Sequence, residues 1–163
     1  MSNIIRKASV LDVDKIKKIA TESWHHTYEG IIPIEIQKKF LNEFYSEEFL
    51  IKRINKSDFS VVLYEDHIVG FINFFKNHES KTALLTALYL LPQFQNQGLG
   101  TLLFNEYLKE YKKDIREINV EVEKENIPAI NFYKKNNFVI DKEYTDDFFD
   151  FPLKTIKMKL SIY

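Results

Sequence analysis

The chain has 163 residues, 45% of them hydrophobic and 29% charged, with a net charge of −1. These values predict a single soluble domain spanning residues 1–163, large enough to bury its own core. The near-neutral charge argues against nucleic acid or an anionic membrane as a partner, and the absence of cysteine excludes disulfides, a thiolate nucleophile and a cysteine zinc site. No apolar run approaches the length of a membrane span and no secretory signal opens the chain, so a cytoplasmic location is expected. With 14 Phe and 9 Tyr, the core is expected to be aromatic-rich.

Ile4 to Ala8 reads as a first short strand. Asp12 is then expected to cap a helix carrying Val13, Ile16, Ile19, Ala20, Ser23, Trp24 and Thr27 at helical spacing. Gly30 ends that helix. Pro33 and Ile34 open a second, with Ile36, Phe40, Leu41 and Phe44 as its apolar positions, and Ser46-Glu47-Glu48 opens a third that buries Phe49, Leu50 and Ile54. Ser60 to Tyr64 and Ile68 to Phe75 read as a hairpin turning at Glu65-Asp66-His67. Ala83 to Leu91 is almost wholly apolar, as expected of a strand covered on both faces.

After Pro92 a polar loop carries two glycines, and Leu99, Leu102, Leu103 and Tyr107 then lie on one side of a helix. Gly98 and Gly100 therefore stand at a strand-loop-helix junction, where the first backbone N–H groups of the helix are unpaired. With the positive end of the helix dipole behind them, those donors form a site for a phosphate group. Ile115 to Glu123 reads as a strand alternating Val120 and Val122 with Asn119, Glu121 and Glu123. Asn126 caps the next helix, Pro128 fits its first turn, and Asn137 stands where the chain leaves it. Phe138 to Tyr144 and Thr155 to Ile162 read as a closing strand pair, joined by an acidic loop over Asp146 to Asp150. The element order predicts an α/β fold around a mixed, mostly antiparallel sheet.

Gln95-Asn96-Gln97-Gly98-Leu99-Gly100 resembles the Gln/Arg-x-x-Gly-x-Gly/Ala motif of the GNAT superfamily of N-acetyltransferases. Asn126-Ile127-Pro128-Ala129-Ile130-Asn131-Phe132-Tyr133, ending in Asn137-Phe138, is similar to that family's Asn-x-x-Ala-x-x-Phe-Tyr-x-x-x-Gly-Phe signature, in the same order and at about the same separation. Asn137 replaces the family's glycine, a mild departure because Asn tolerates the left-handed conformation. The resemblance runs from about Val61 to the C-terminus. It implies the GNAT fold, in which the glycine-loop strand and the Asn119-bearing strand are parallel but splay apart, leaving a cleft where pantetheine pairs like an added strand.

It further implies acetyl-coenzyme A as co-substrate. Backbone amides near Leu90 and Leu91 would face the pantetheine, Gln95, Gln97, Gly98, Leu99, Gly100 and Thr101 would surround the pyrophosphate, and Asn126, Ala129, Phe132 and Tyr133 would contact the coenzyme from the following helix. Tyr133 falls where the family places the phenol that protonates the departing thiolate. Family members often carry a glutamate base on the strand entering the glycine loop. Leu85 to Tyr89 has none, which leaves Glu121, and behind it Glu123, on the next strand, acting directly or through water, or no dedicated base.

Acceptor recognition in the family falls to the segment between the first two helices and to the closing hairpin, here Trp24, Thr27, Tyr28 and Glu29 and, near the C-terminus, Glu143, Tyr144, Asp146, Asp147, Phe148 and Asp150. Aromatics with carboxylates suit a cationic amine, and Trp24 to Gly30 loosely resembles polyamine-acetylating members. A small polyamine-like amine and a protein N-terminus are both open as acceptors, and a non-catalytic acetyl-coenzyme A sensor is the alternative to an enzyme. GNAT relatives are often dimers, so a homodimer is an expected assembly. His25 and His26 are adjacent rather than four apart, and His67 and His78 fall in turns, so no metal is expected.

Overall fold

The computed structural model describes residues 3–162. Its elements run β1 (Asn3–Lys7), α1 (Val13–Tyr28), α2 (Ile34–Phe44), α3 (Glu47–Lys56), β2 (Asp58–Tyr64), β3 (His67–Asn77), β4 (Thr82–Leu90), α4 (Leu99–Tyr111), β5 (Glu117–Glu123), α5 (Ile127–Lys135), β6 (Val139–Phe148) and β7 (Phe151–Ser161). Short 3-10 turns precede α1 and follow β4. The seven strands form one sheet in the order β1-β2-β3-β4-β5-β7-β6, and only β4 and β5 run parallel.

Two cores flank the sheet. On one face α4 and α5 bury Leu103, Phe104, Tyr107, Tyr111, Ile130 and Tyr133 against Ile72, Phe74, Leu85, Val120 and Met158. On the other, α1, α2 and α3 bury Ile16, Ile19, Trp24, Leu41, Tyr45 and Leu50 against Phe59, Val61 and Phe71. The aromatic expectation is met most densely here: Trp24 stacks on Phe40 with centroids 4.1 Å apart, and Tyr45, Phe71 and Tyr89 form a contiguous group.

Several local readings hold. Ser46 caps α3 by accepting from Phe49 N, Asn126 caps α5 by accepting from Ala129 N, and Asn137 adopts φ +73° as Phe138 N reaches back to Tyr133 O at 2.9 Å. Others are corrected. Ser9, not Asp12, makes the first helical cap, because the Asp12 carboxylate is drawn to the Arg6 guanidinium by two hydrogen bonds of 2.8 and 2.9 Å and also accepts from Ser9 N. That pairing holds the Asp12 carboxyl below its usual range.

The expected acidic loop is not a loop. Asp146, Asp147 and Phe148 continue β6, and the turn is only Phe149-Asp150, with φ of +53° and +63°. This tight hairpin carries Phe148 to within 6.0 Å of Trp24 and 5.5 Å of Phe40, ring centre to ring centre, so its tip rests on the α1–α2 aromatic group.

Strand β4 is also not covered on both faces as its composition suggests. Leu84 is 40% exposed and Thr86 is exposed. The cause is a bulge: Asn73 pairs with Ala87 and Phe74 with Leu85, which leaves Thr86 without a partner in β3. Leu85 therefore faces the α4 core while Ala87, two residues on, faces the α1–α3 core. Parallel pairing with β5 stops at Leu85–Val120, one residue before the bulge. Beyond it the two strands diverge.

Candidate active site

The divergence opens a cleft of about 950 Å³ between β4 and β5, walled by the end of α1, the start of α4 and the first turns of α5. Its β4 wall follows from ladder arithmetic. Leu91 N donates to Val69 O at 2.9 Å, so the alternating antiparallel pattern bonds Tyr89 with Phe71 and turns the N–H and C=O groups of Leu88 and Leu90 toward the cleft. The Leu90 carbonyl is already held by Ser23 Oγ at 3.2 Å and Gln95 Nε2 at 3.1 Å. Leu88 and Leu90 are the outward-facing amides. Leu91, expected to share that role, is excluded because its N–H is consumed within the sheet.

At the far end Gly98 takes φ +83°, a conformation costly for any residue with a Cβ, and starts α4. The N–H groups of Leu99, Gly100 and Thr101 have no helical acceptor, since the first helical bond here is Leu102 N to Gly98 O. Gly100 serves packing: a Cβ there would lie 3.2 Å from Phe132 Cε1, so its hydrogen lets α4 approach α5. Gln95, Gly98, Gly100 and Thr101 line the cleft, whereas Leu99 is buried beneath it and exposed Gln97 turns away to donate to Gln93 O. Leu99 offers the cleft only its backbone, and the Gln97 side chain closes the preceding turn instead.

Helix α5 contributes Asn126, Ala129, Phe132 and Tyr133 to the opposite wall. The Tyr133 ring lies edge-on to Phe132 and Phe138, 5.4 and 5.3 Å away. Burial, reinforced by Tyr28, raises its phenol well above the tyrosine range, so it stays protonated at neutral pH and carries a proton available to a donor's leaving group. The Asn126 amide is oriented by its capping bond, which leaves Nδ2 to reach Tyr28 Oη at 3.4 Å across the cleft. Burial pushes Tyr28 up to about 12 despite that bond.

Among the carboxylates, Glu121 and Glu125 line the cleft and Glu123 does not. Glu123 is buried, its carboxylate capping the β5–α5 turn by accepting from Glu125 N, and that burial raises its proton affinity. Tyr144, expected on the acceptor side, lies on β6 beside Glu121 and is not among the residues lining the cleft; burial followed by the Glu121 carboxylate pushes its phenol up to about 12. Trp24 is likewise corrected to a core residue. It is buried under α2, and its Nε1–H donates to Tyr89 Oη at 2.9 Å. Glu29 stands in an adjoining hollow of about 680 Å³ with His25, Gln37 and Phe151, and His26 lines both spaces.

The sequence reading missed Ser23, His26, Thr86 and Glu125 as cleft residues, while Thr27, expected on the acceptor side, does line the cleft. Ser23 carried a signal in its position on the α1 stripe. Nothing in spacing marked Thr86 or Glu125.

A strand pair that parts around a cleft, with helix N-terminal donors at one end and a buried phenol beside it, can receive an extended ligand along β4 and an anionic group at the start of α4. Residues 16–138 match the acetyltransferase (GNAT) family. The chain is 34% identical over 155 residues to a spermidine N(1)-acetyltransferase of Thermoplasma acidophilum, covering 91% of this chain and 95% of that one. It is 28% identical over 148 residues to an N-alpha-acetyltransferase of Sulfurisphaera tokodaii, covering 82% and 78%. The crystal structure of PaiA N-acetyltransferase from Thermoplasma acidophilum in complex with coenzyme A superposes with a TM-score of 0.88 at 30% identity over 99% of both chains. The chain belongs to the GNAT family of acetyltransferases. It is an acetyl-coenzyme A-dependent N-acetyltransferase.

Proposed function

We propose that the acceptor is a small polycationic amine of the polyamine class and that transfer proceeds by direct attack within a ternary complex. The observation that carries this reading is the pair of carboxylates, Glu121 and Glu125, in the cleft beside Tyr28. Two anionic groups with an aromatic wall favour a chain of ammonium groups over a neutral peptide. The similarity to a spermidine N(1)-acetyltransferase over nearly the whole chain supports the same class. The absence of cysteine supports direct transfer, since no thiol is present to carry the acetyl group.

In this mechanism acetyl-coenzyme A lies along β4 with its pantetheine amides meeting Leu88 and Leu90 and its pyrophosphate on the N-terminus of α4. Coenzyme recognition is thus mostly backbone. Glu121, directly or through water, accepts a proton from the bound ammonium to give the neutral amine. The nitrogen lone pair attacks the thioester carbonyl carbon, and a β4 amide stabilises the oxygen as it gains charge. The C–S bond then breaks as Tyr133 gives its phenolic proton to the thiolate; the amine's second proton passes to solvent, a proton from solvent restores the phenol, and Glu121 releases the proton it took.

The test is release of coenzyme A thiol from acetyl-coenzyme A across spermidine, spermine, aminoglycosides, free amino acids and short peptides with free N-termini. Saturable turnover confined to the polyamines is the expected result. Preference for the peptides would move the acceptor to protein N-termini. No turnover with any amine, alongside calorimetric binding of coenzyme A, would favour a sensor.

A further inference from the structure

Arg53 is buried in the α1–α3 core, and among the described residues no carboxylate pairs with it. A buried guanidinium without an anion is an expensive feature to retain, so its contacts matter. Nη1 donates to the carbonyl of Phe44, the last residue of α2, at 2.9 Å, where the helix dipole is negative. Nη2 reaches Tyr45 Oη at 3.4 Å, and the guanidinium lies 4.5 Å from the Tyr45 ring centre and 5.4 Å from that of Phe59. Nε donates to Asn73 Oδ1 at 3.1 Å.

Asn73 is fully buried and saturated. Its Nδ2 donates to Ser57 Oγ at 2.8 Å and Asp58 O at 3.0 Å, which fixes Oδ1 as the end facing Arg53. That same Oδ1 accepts from Thr86 Oγ1 at 2.9 Å, the hydroxyl proton being shared with Asn73 O at 3.1 Å. Thr86 is the unpaired residue of the β4 bulge, one position beyond the last β4–β5 pair. The guanidinium, the amide and the hydroxyl thus form one chain ending where the strands part.

We propose that Arg53 is a positioning residue for acetyl transfer, holding the Thr86 bulge through Asn73 and thereby setting the direction in which Leu88 and Leu90 present their amides to the coenzyme. Arg suits the task because its planar fork serves three acceptors on α2, the α2–α3 turn and β3 at once, which a lysine ammonium cannot do in one plane. The chain links helices that never touch the cleft to the strand that forms its wall.

The inference rests on the coenzyme lying along β4, and wild-type affinity for coenzyme A by calorimetry tests that reading by itself. Thr86→Val keeps the shape and removes the donor, whereas Thr86→Ser keeps the donor. The expected result is a roughly tenfold weaker coenzyme A Kd for T86V with near wild-type affinity for T86S, a split that loss of packing alone would reverse. R53M is expected to weaken Kd similarly, and the double variant R53M/T86V to be no weaker than either single change because both break one chain. If R53M does not fold, R53K, which keeps the charge and loses the fork, is read in its place. Wild-type binding together with unchanged Kd in T86V overturns the proposal. So does an additive double variant, which would make Arg53 act by another route.

Discussion

The two sides of the cleft are built by different means. The side formed by β4, α4 and α5 uses backbone: Leu88 and Leu90 turned out of the ladder, free N–H groups at the start of α4, and glycines placed where a side chain would strain or collide. The side formed by α1, the α1–α2 turn and β5 uses side chains, with Tyr28, His26, Glu121 and Glu125 arriving from separate segments. Backbone recognition suits a ligand that never changes. Side-chain recognition lets the acceptor be altered without disturbing the donor site.

Substitutions can break that division or sharpen it. Tyr133→Phe removes only the phenolic oxygen, and kcat is expected to fall about 10²–10³-fold with coenzyme A affinity by calorimetry unchanged; an unaltered kcat would remove Tyr133 from the chemistry. Gly98→Ala puts a Cβ at φ +83°, so coenzyme affinity should weaken about tenfold and Tm should drop in line with a cost of about 1–2 kcal/mol, while acceptor KM stays near wild type. Glu121→Gln should act oppositely on the two sides, raising polyamine KM and lowering kcat/KM by roughly tenfold, leaving coenzyme A affinity alone.

Trp24→Phe keeps the aromatic stack but gives up the hydrogen bond to Tyr89. Thermal unfolding should show a loss of about 1 kcal/mol, with polyamine KM unmoved; a raised KM would return Trp24 to the acceptor site. The smallest effect is expected at Asp12→Asn, about 1 kcal/mol of stability at neutral pH. Because Arg6 depresses the folded-state carboxyl, this contribution is present above the ordinary Asp range and is lost as pH falls through the lowered value. Wild type and variant should therefore converge in acid.

Much of the coenzyme side was legible in the chain because its requirements are local. A glycine at a left-handed N-cap, a second against a neighbouring ring and an asparagine cap all leave marks within a few residues. Leu91 was misread since strand direction alone does not say which amides face the ladder; the register with Val69 decides it. The acceptor side was less legible. Trp24 has the composition of a binding residue, yet Phe40 and Phe148, 16 and 124 positions away, cover it. Thr86 was silent for a related reason. A bulge is a property of two strands counted against each other, and Arg53 and Asn73 meet it only through the fold.

The early end of β4–β5 pairing has a further consequence. Most sheets keep their unsatisfied edges at the margins, where charges, prolines or short strands blunt them against pairing with other chains. Here a stretch of edge lies in the middle of the sheet, between strands fourth and fifth in order. On the proposed placement a bound donor completes the sheet, so coenzyme A is expected to raise Tm as its concentration passes Kd.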